Sequence, residues 1–433
     1  MEPSAQTKRP GLWPIATGNL VLSLLVFLFF ARGLSTVLIY ALIPKLKSLF
    51  QLSYAEAMMT QLCFFLGYFL LSLPAAYVVR RLGYLRAIVL GLVVMIGGCL
   101  VLSPATWFGL YPGFLAALFV LAAGITLLQV ADNPLIAMFG PPGGASSRLT
   151  LAQAFNSLGT AVAPVLAAWL VFSPAGPPFQ QRLQGAASRI RFADIEAIHA
   201  PFLVMAGTLA VVAVIFWLKR SYPVPGAEAG RHGSSHRLRL LRDKRFLFGA
   251  LAIFLYVGAE VSVGSIMANY LMQSTVLSVP AYRASQLMSL YWGGAMCGRF
   301  VGAAVLRIVP PGAALAVCGI SATSLALLSS SSAGLTAAAS IIAIGLFNSI
   351  MFPTIFALAL EGLEDAAPEG SGILCMAIVG GAIVPEITGM VADARGLAFA
   401  LLVPAACYGW ITIYGTYIAR GGAPALSSGR GPC

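Results

Sequence analysis

Several charged and polar residues lie inside long apolar stretches of this chain, where an ionised side chain is costly. The clearest case is Asp132, which is followed by Asn133 and Pro134 in the stretch "LLQVADNPLIAMFG" (127–140). If these stretches cross a membrane, each such residue is a candidate for binding a solute or carrying a proton. The alternative is hydrogen bonding between helices, which also uses Asn and Gln side chains.

The polar residues of the apolar stretches are mainly amides, accompanied by a few charges of both signs. Side-chain amides donate and accept hydrogen bonds, so they can pair with sugar hydroxyls, and an aromatic ring can stack on the apolar face of a sugar. The mixed charges favour a neutral, hydroxyl-rich solute over a cation or an anion. The candidate substrate-binding residues are Gln61, Gln129, Gln153, Asn156, Glu260, Asn269, Trp292 and Asn348.

The composition identifies an integral membrane protein. The chain is 59% hydrophobic and only 9% charged, with a mean hydropathy of +0.90, whereas soluble domains carry about 25% charged residues. The apolar stretches are continuous rather than alternating, which favours helices over a β-barrel. We therefore predict an all-α membrane protein with twelve transmembrane helices, at about 17–43, 54–79, 85–103, 108–139, 148–173, 200–219, 245–273, 284–307, 312–329, 334–361, 370–392 and 396–419.

Many of the bases behind the net charge of +12 are predicted to lie on one side of the membrane. Arg80, Arg81, Arg86 and Arg148 flank predicted helices on that side, and a basic cluster at 219–245 lies there too. Cytoplasmic loops carry such an excess of Lys and Arg, so both termini are predicted to face the cytoplasm, in a cell inner membrane. We expect this surface to contact membrane lipid and not nucleic acid.

The chain divides into two related halves. Residues 1–219 form a predicted N-terminal half, 220–244 a polar cytoplasmic linker, and 245–433 a C-terminal half with a short tail. The motif "GTAVAP" (159–164) corresponds to "GGAIVP" (380–385), and Pro134 corresponds to Pro353. Two six-helix halves related in this way are the architecture of major facilitator transporters, in which the substrate site lies near the membrane midplane. The prolines inside the predicted helices of this chain, such as Pro134, Pro164, Pro353 and Pro385, are expected to bend or break those helices.

The sequence contains no pattern typical of an enzyme or a metalloprotein. Its seven cysteines include no CxxC pair, and its three histidines do not cluster. There is no nucleophile–base spacing and no phosphate-binding loop. We therefore predict a protein that is not an enzyme, with no metal and no cofactor. Efflux of another small solute by the same fold remains an alternative to uptake.

Several longer motifs resemble one family of transporters. They include "RLTLAQAFNSLGTAVAP" (148–164), "YVGAEVSVGSIMANYL" (256–271) and "GLFNSIMFPTIFALALEGL" (345–363). These resemble the fucose–galactose–hexose proton symporters of the major facilitator superfamily, in particular the glucose/galactose branch. The resemblance implies hexose uptake driven by protons. It also implies that Gln153 and Asn156 face the sugar, and that Glu260 matches an acid of that branch.

The chain departs from the family pattern at the acids that the family links to proton coupling. Where the family has an Asn–Asp pair in the first span, this sequence has Ile39 and Tyr40, and the fourth-span acid is Gln129. A tyrosine of the tenth span is Phe352. Proton symport and a sugar uniporter without proton coupling therefore both remain open.

Two other acids are candidates for proton coupling in place of the missing ones. One is Glu260. The other is Asp132, which lies three residues after Gln129 and so about 4.5 Å further along the same helix. Arg32 is the cation of the first span, and our hypothesis is that it pairs with Asp132. The alternative is that each of the two side chains extends to the membrane surface or meets a backbone carbonyl group. The expected partners of the protein are a sugar, a proton and lipid, and we expect a monomer.

Overall fold

The computed structural model describes residues 20–36, 54–107, 111–141, 143–172, 187–222 and 240–421. Within these ranges the chain is helical and contains no β-strand. The helices of the first half are α1 (Leu20–Thr36), α2 (Tyr54–Leu82), α3 (Tyr84–Trp107), α4 (Tyr111–Met138), α5 (Ala145–Phe172) and α6 (Ala187–Leu218). Those of the second half are α7 (Lys244–Met272), α8 (Ala281–Val305), α9 (Pro311–Ser331), α10 (Gly334–Asn348), α11 (Met351–Leu360), α12 (Ala367–Met376), α13 (Gly380–Arg395), α14 (Leu397–Ala400) and α15 (Leu402–Ala419).

The described helices correspond in order to the twelve predicted crossings, and the all-α fold class is confirmed. Within the described residues, eight stretches are long and apolar enough to span a bilayer by themselves. Three of them are pairs of consecutive helices: α10 with α11, α12 with α13, and α14 with α15. The helices α1, α5, α6 and α8 correspond to the other four predicted crossings.

The last three crossings are interrupted, as was expected for the crossing that contains Pro353. The tenth breaks between Asn348 and Met351, the eleventh passes through a 3-10 turn at Ala377–Val379, and the twelfth breaks at Leu401. Pro353 explains the first break, because it has no N–H to donate to the carbonyl four residues earlier. In contrast, α4 continues through Pro134 without a break, although a bend or break was expected there.

Helices pack closely within each half and between the halves. In the first half α3 lies against α4 and α6, and in the second half α9 lies against α15. Between the halves, α5 contacts α8 and α11, while α12 contacts α2 and α4. Glycine permits a close approach of α8 to the segment that follows α10, because a Cβ atom added at Gly298 would lie only 2.6 Å from Ser349 Oγ.

The two halves meet on the side of the molecule that carries the loop between α2 and α3, here called the basic side. Arg80 at the end of α2 donates to Glu369 at the start of α12, with 3.0 Å between Nη1 and Oε1. Ser147 of α5 donates to the carbonyl oxygen of Ala303 in α8 at 2.6 Å. The described structure is therefore closed on its basic side.

Candidate functional site

Arg32 of α1 and Asp132 of α4 form a buried ion pair. Arg32 Nη1 lies 2.9 Å from Asp132 Oδ1 and 2.8 Å from Oδ2. Asp132 is fully buried, and the guanidinium of Arg32 also lies over the ring of Phe29, 4.4 Å from its centroid. The predicted pairing is confirmed. It explains why a carboxylate is tolerated here, since a buried charge requires a partner.

A second polar cluster lies in the second half around Glu260, near the middle of α7. The hydroxyl of Tyr256 is 2.9 Å from Glu260 Oε1 and 3.0 Å from the carbonyl oxygen of Asn348. Arg299 of α8 places Nη2 3.8 Å from the same carboxylate oxygen. The side chain of Glu260 keeps 16% of its surface exposed, whereas Asp132 is fully buried.

Asn348 joins three helices at the break of the tenth crossing. Its amide nitrogen donates to the hydroxyl oxygens of Tyr291 at 2.8 Å and of Tyr408 at 2.9 Å. The side chain is fully buried. Asn348 therefore organises the second half from within, and as described it does not face an open cavity.

Arg299 connects the Glu260 cluster to the first half. Its Nε donates to the carbonyl oxygen of Ser349 at 3.3 Å, and its Nη1 donates to the hydroxyl of Ser157 in α5. The Ser349 carbonyl is available because Pro353, four residues later, has no N–H. One guanidinium thus contacts an acid of one half and a hydroxyl of the other.

The predicted amides of the first half lie at helix contacts. Gln129 Oε1 accepts a hydrogen bond from the hydroxyl of Tyr68 at 2.9 Å, and Asn156 Nδ2 donates to the carbonyl oxygen of Phe29 at 2.9 Å. Gln153 lies one turn before Asn156 on α5 and is mostly buried. Asn156 therefore uses its nitrogen in packing α5 against α1, while its amide oxygen remains available for other contacts.

Of the remaining predicted site residues, Trp292 and Asn269 lie in the described part of the chain. Trp292 lies seven residues before Arg299 on α8, which places both on one face, and its side chain is 47% exposed. Asn269 lies nine residues after Glu260, so it projects from the opposite side of α7. The side chain of Gln61 and the whole of Tyr40 lie outside the described residues.

Several residues of these clusters were not among the predicted site residues. Tyr256 could have been found, because it lies four residues before Glu260 and so on the same helix face. Tyr291, Tyr408 and Ser157 gave no signal in the sequence, since their partners are on other helices. Tyrosine and serine are also common in membrane helices for reasons of packing alone.

A cavity of about 560 Å³ lies elsewhere, among helix ends of both halves on the basic side. Its lining includes Arg148, Arg245 and Glu361 but none of the candidate site residues. Arg148 donates to the backbone carbonyl oxygens of Ala137 at 2.6 Å and Pro141 at 3.0 Å, and Arg245 pairs with Glu361. Because the protein itself engages these charges, we assign no substrate role to this cavity.

Membrane helices arranged in two halves that contact each other through polar side chains are the architecture of a membrane transporter. A family model described as Major Facilitator Superfamily matches residues 25–385. The chain belongs to this superfamily.

Two curated relatives and one solved structure are similar over almost the whole chain. The glucose/galactose transporter of Brucella abortus biovar 1 (strain 9-941) is 46% identical over 398 residues, which are 91% of this chain and 93% of the relative. The L-fucose-proton symporter of Escherichia coli (strain K12) is 30% identical over 410 residues, 91% of this chain and 92% of the relative. The crystal structure of the transporter FucP in the outward conformation matches with a TM-score of 0.84 and 28% identity, covering 93% of this chain and 99% of that one.

Proposed function

We propose that this protein takes up a hexose, glucose, galactose or a related sugar, by alternating access, with a proton moving in the same direction. The observation that carries the proposal is the Glu260–Arg299–Ser157 connection, in which a partly exposed acid is linked to a contact between the halves. The similarity to a glucose/galactose transporter and to an L-fucose-proton symporter supports the sugar and the proton.

The proposed substrate site lies between the halves near the middle of the membrane. Gln153 and Asn156 of α5 provide amide groups from the first half, while Trp292 and Glu260 provide an aromatic face and an acid from the second. The Oδ1 atom of Asn156 would accept from a sugar hydroxyl, and the indole of Trp292 would cover the apolar face of the sugar ring.

We further propose a monomer in the inner membrane, surrounded by lipid, with both termini and the 220–244 linker in the cytoplasm. The excess of Lys and Arg on the basic side supports this orientation. The rocking units would be residues 1–219 and 245–433. With this orientation, the described structure is closed toward the cytoplasm by contacts such as Arg80–Glu369.

A sugar uniporter without proton coupling is the second candidate. The observation that favours it concerns the acids of the first half. Gln129 stands where the family pattern has an acid, and the carboxylate of Asp132 is fully buried against Arg32. In that reading Glu260 would bind sugar without carrying a proton.

The purified protein in liposomes distinguishes these functions. We expect glucose or galactose to accumulate when the outside is made acidic, and only to equilibrate when a protonophore is added. Each pH unit can support up to about tenfold accumulation for one proton per sugar. Equilibration that is unaffected by the pH gradient would favour the uniporter, and absence of exchange for every hexose tested would contradict a hexose carrier.

The Arg80–Glu369 pair is expected to stabilise the state closed on the basic side. Replacing Arg80 with Gln should shift the equilibrium toward the open state by about two- to fivefold, the range for a partly exposed ion pair. Spin labels at the exposed positions Arg86 and Arg307, one in each half, would report this as a larger population of long distances. Arg81→Gln removes a neighbouring exposed charge and should leave the distances unchanged. An equal shift in that control would contradict a specific role for the pair.

A further inference from the structure

The carbonyl group of Val130 in α4 is freed by a proline and is used by the other half of the protein. Pro134 lies four residues after Val130 and has no N–H, so the helix cannot supply the usual donor to this oxygen. Ser371 of α12 donates its hydroxyl to the Val130 carbonyl oxygen at 2.8 Å, and Ser371 is fully buried. This bond explains how α4 remains continuous at Pro134.

The contact lies within a closely packed part of the interface. A Cβ atom added at Gly372, the residue after Ser371, would lie 2.7 Å from Ala76 Cβ and 2.9 Å from the Ser72 carbonyl oxygen of α2. Gly372 therefore packs directly against α2. The hydrogen bond from the Ser371 hydroxyl to the Val130 carbonyl oxygen can therefore form only while α12 is held against α2 and α4.

The corresponding proline of the second half has a similar use. Pro353 leaves the carbonyl oxygen of Ser349 without a helix donor, and Arg299 Nε donates to that oxygen at 3.3 Å. The same guanidinium contacts Ser157 of the first half. In both halves, the carbonyl four residues before the proline of the fourth or tenth crossing supports a contact between the halves.

We propose that Pro134 and Pro353 are positioning residues of the transport cycle. Pro134 leaves the Val130 carbonyl free as the acceptor of a hydrogen bond that exists only when the halves are closed on the basic side. Pro353 leaves the Ser349 carbonyl free to hold Arg299, whose guanidinium contacts Ser157 of the other half. When the halves separate on the basic side, Ser371 moves away from the Val130 carbonyl oxygen. No N–H group of α4 then replaces the lost hydroxyl donor. The prolines therefore favour the closed state through the interface. The proposal requires two alternating states and does not depend on which solute is carried.

The proposal can be tested with a single reporter cysteine at Thr150. This residue is fully buried, and its Cγ2 atom would lie 3.9 Å from a Cβ added at Gly302 of the other half. Its hydroxyl has no hydrogen-bond partner within the described part of the chain, so Thr150→Cys removes no such bond. With the seven native cysteines replaced by alanine, the rate of alkylation by a water-soluble maleimide reports how often the halves separate.

We expect Ser371→Ala and Pro134→Ala each to raise the alkylation rate by about two- to tenfold, the ratio that corresponds to one net hydrogen bond. Pro134→Ala acts because its new N–H satisfies Val130 in both states. The double variant should react no faster than Ser371→Ala alone, because both changes remove the same bond. Pro74→Ala is the matched control, since Pro74 also lies inside a helix of the first half but is exposed.

An unchanged rate in either single variant would overturn the proposal, as would additive effects in the double variant or an equal effect in Pro74→Ala. Misfolding does not obscure the result, because alanine favours helix at both proline positions and each variant is compared as a monodisperse detergent-solubilised protein. No sugar is present in the assay. A failure of hexose transport and a failure of this proposal are therefore distinguishable.

Discussion

Replacing Glu260 with Gln is expected to abolish proton-driven accumulation of sugar while preserving exchange of sugar across the membrane. Glutamine keeps an oxygen that can accept from the Tyr256 hydroxyl, which lies 2.9 Å from the present carboxylate. It cannot bind or release a proton, and it removes the charge that faces Arg299 at 3.8 Å. With an inward gradient of two pH units, wild-type accumulation of up to about a hundredfold should fall to simple equilibration.

The measurement combines gradient-driven uptake and counterflow of the same radiolabelled hexose in liposomes. Glu386→Gln provides the control, because Glu386 is an exposed carboxylate of α13, and it should accumulate sugar as the wild type does. If Glu260→Gln still accumulated sugar, proton coupling would have to be assigned to another group. Loss of both accumulation and counterflow would place Glu260 in sugar binding.

Breaking the Arg32–Asp132 pair is expected to destabilise the folded protein by about 3–5 kcal/mol, because either single replacement leaves a buried charge without its partner. Asp132 is fully buried, and both of its oxygens lie within 2.9 Å of Arg32 Nη1. Arg32→Met and Asp132→Leu should each lower the thermal unfolding temperature in detergent. The double variant should recover most of the loss, since an apolar pair of similar volume can replace a buried ion pair.

Arg283→Met is the matched control for this experiment, because Arg283 is exposed at the start of α8. It should leave the unfolding temperature nearly unchanged. The opposite pattern, in which Asp132→Leu keeps wild-type stability and loses only proton-driven uptake, would show that Asp132 carries the proton and that its pairing is not structural.

The relation between Arg32 and Asp132 could be predicted from the sequence, whereas the surroundings of Glu260 could not. A single cation in the first span and a single acid in the fourth left few pairings that avoid an isolated buried charge. Around Glu260 there were several tyrosines, an arginine and serines on other spans. Their pairing depends on how helices rotate about their axes, which hydropathy does not specify.

The Arg80–Glu369 contact illustrates the same limit on the basic side. From the sequence, Arg80 was interpreted only as one of several bases that predict the orientation of the protein in the membrane. Its partner lies 289 residues away in the chain, and the sequence contains 14 Asp and Glu residues. Selecting among them requires the packing of α12 against α2.

The class of protein and the number of crossings follow from the amino-acid sequence, because the cost of placing polar groups in hydrocarbon acts on each segment separately. The prolines were visible too, but their effect was not: α4 is continuous at Pro134, and the tenth crossing breaks near Pro353. That difference depends on which donor reaches each freed carbonyl. Ser371 and Val130 are 241 residues apart, and the folding of one half against the other brings them together.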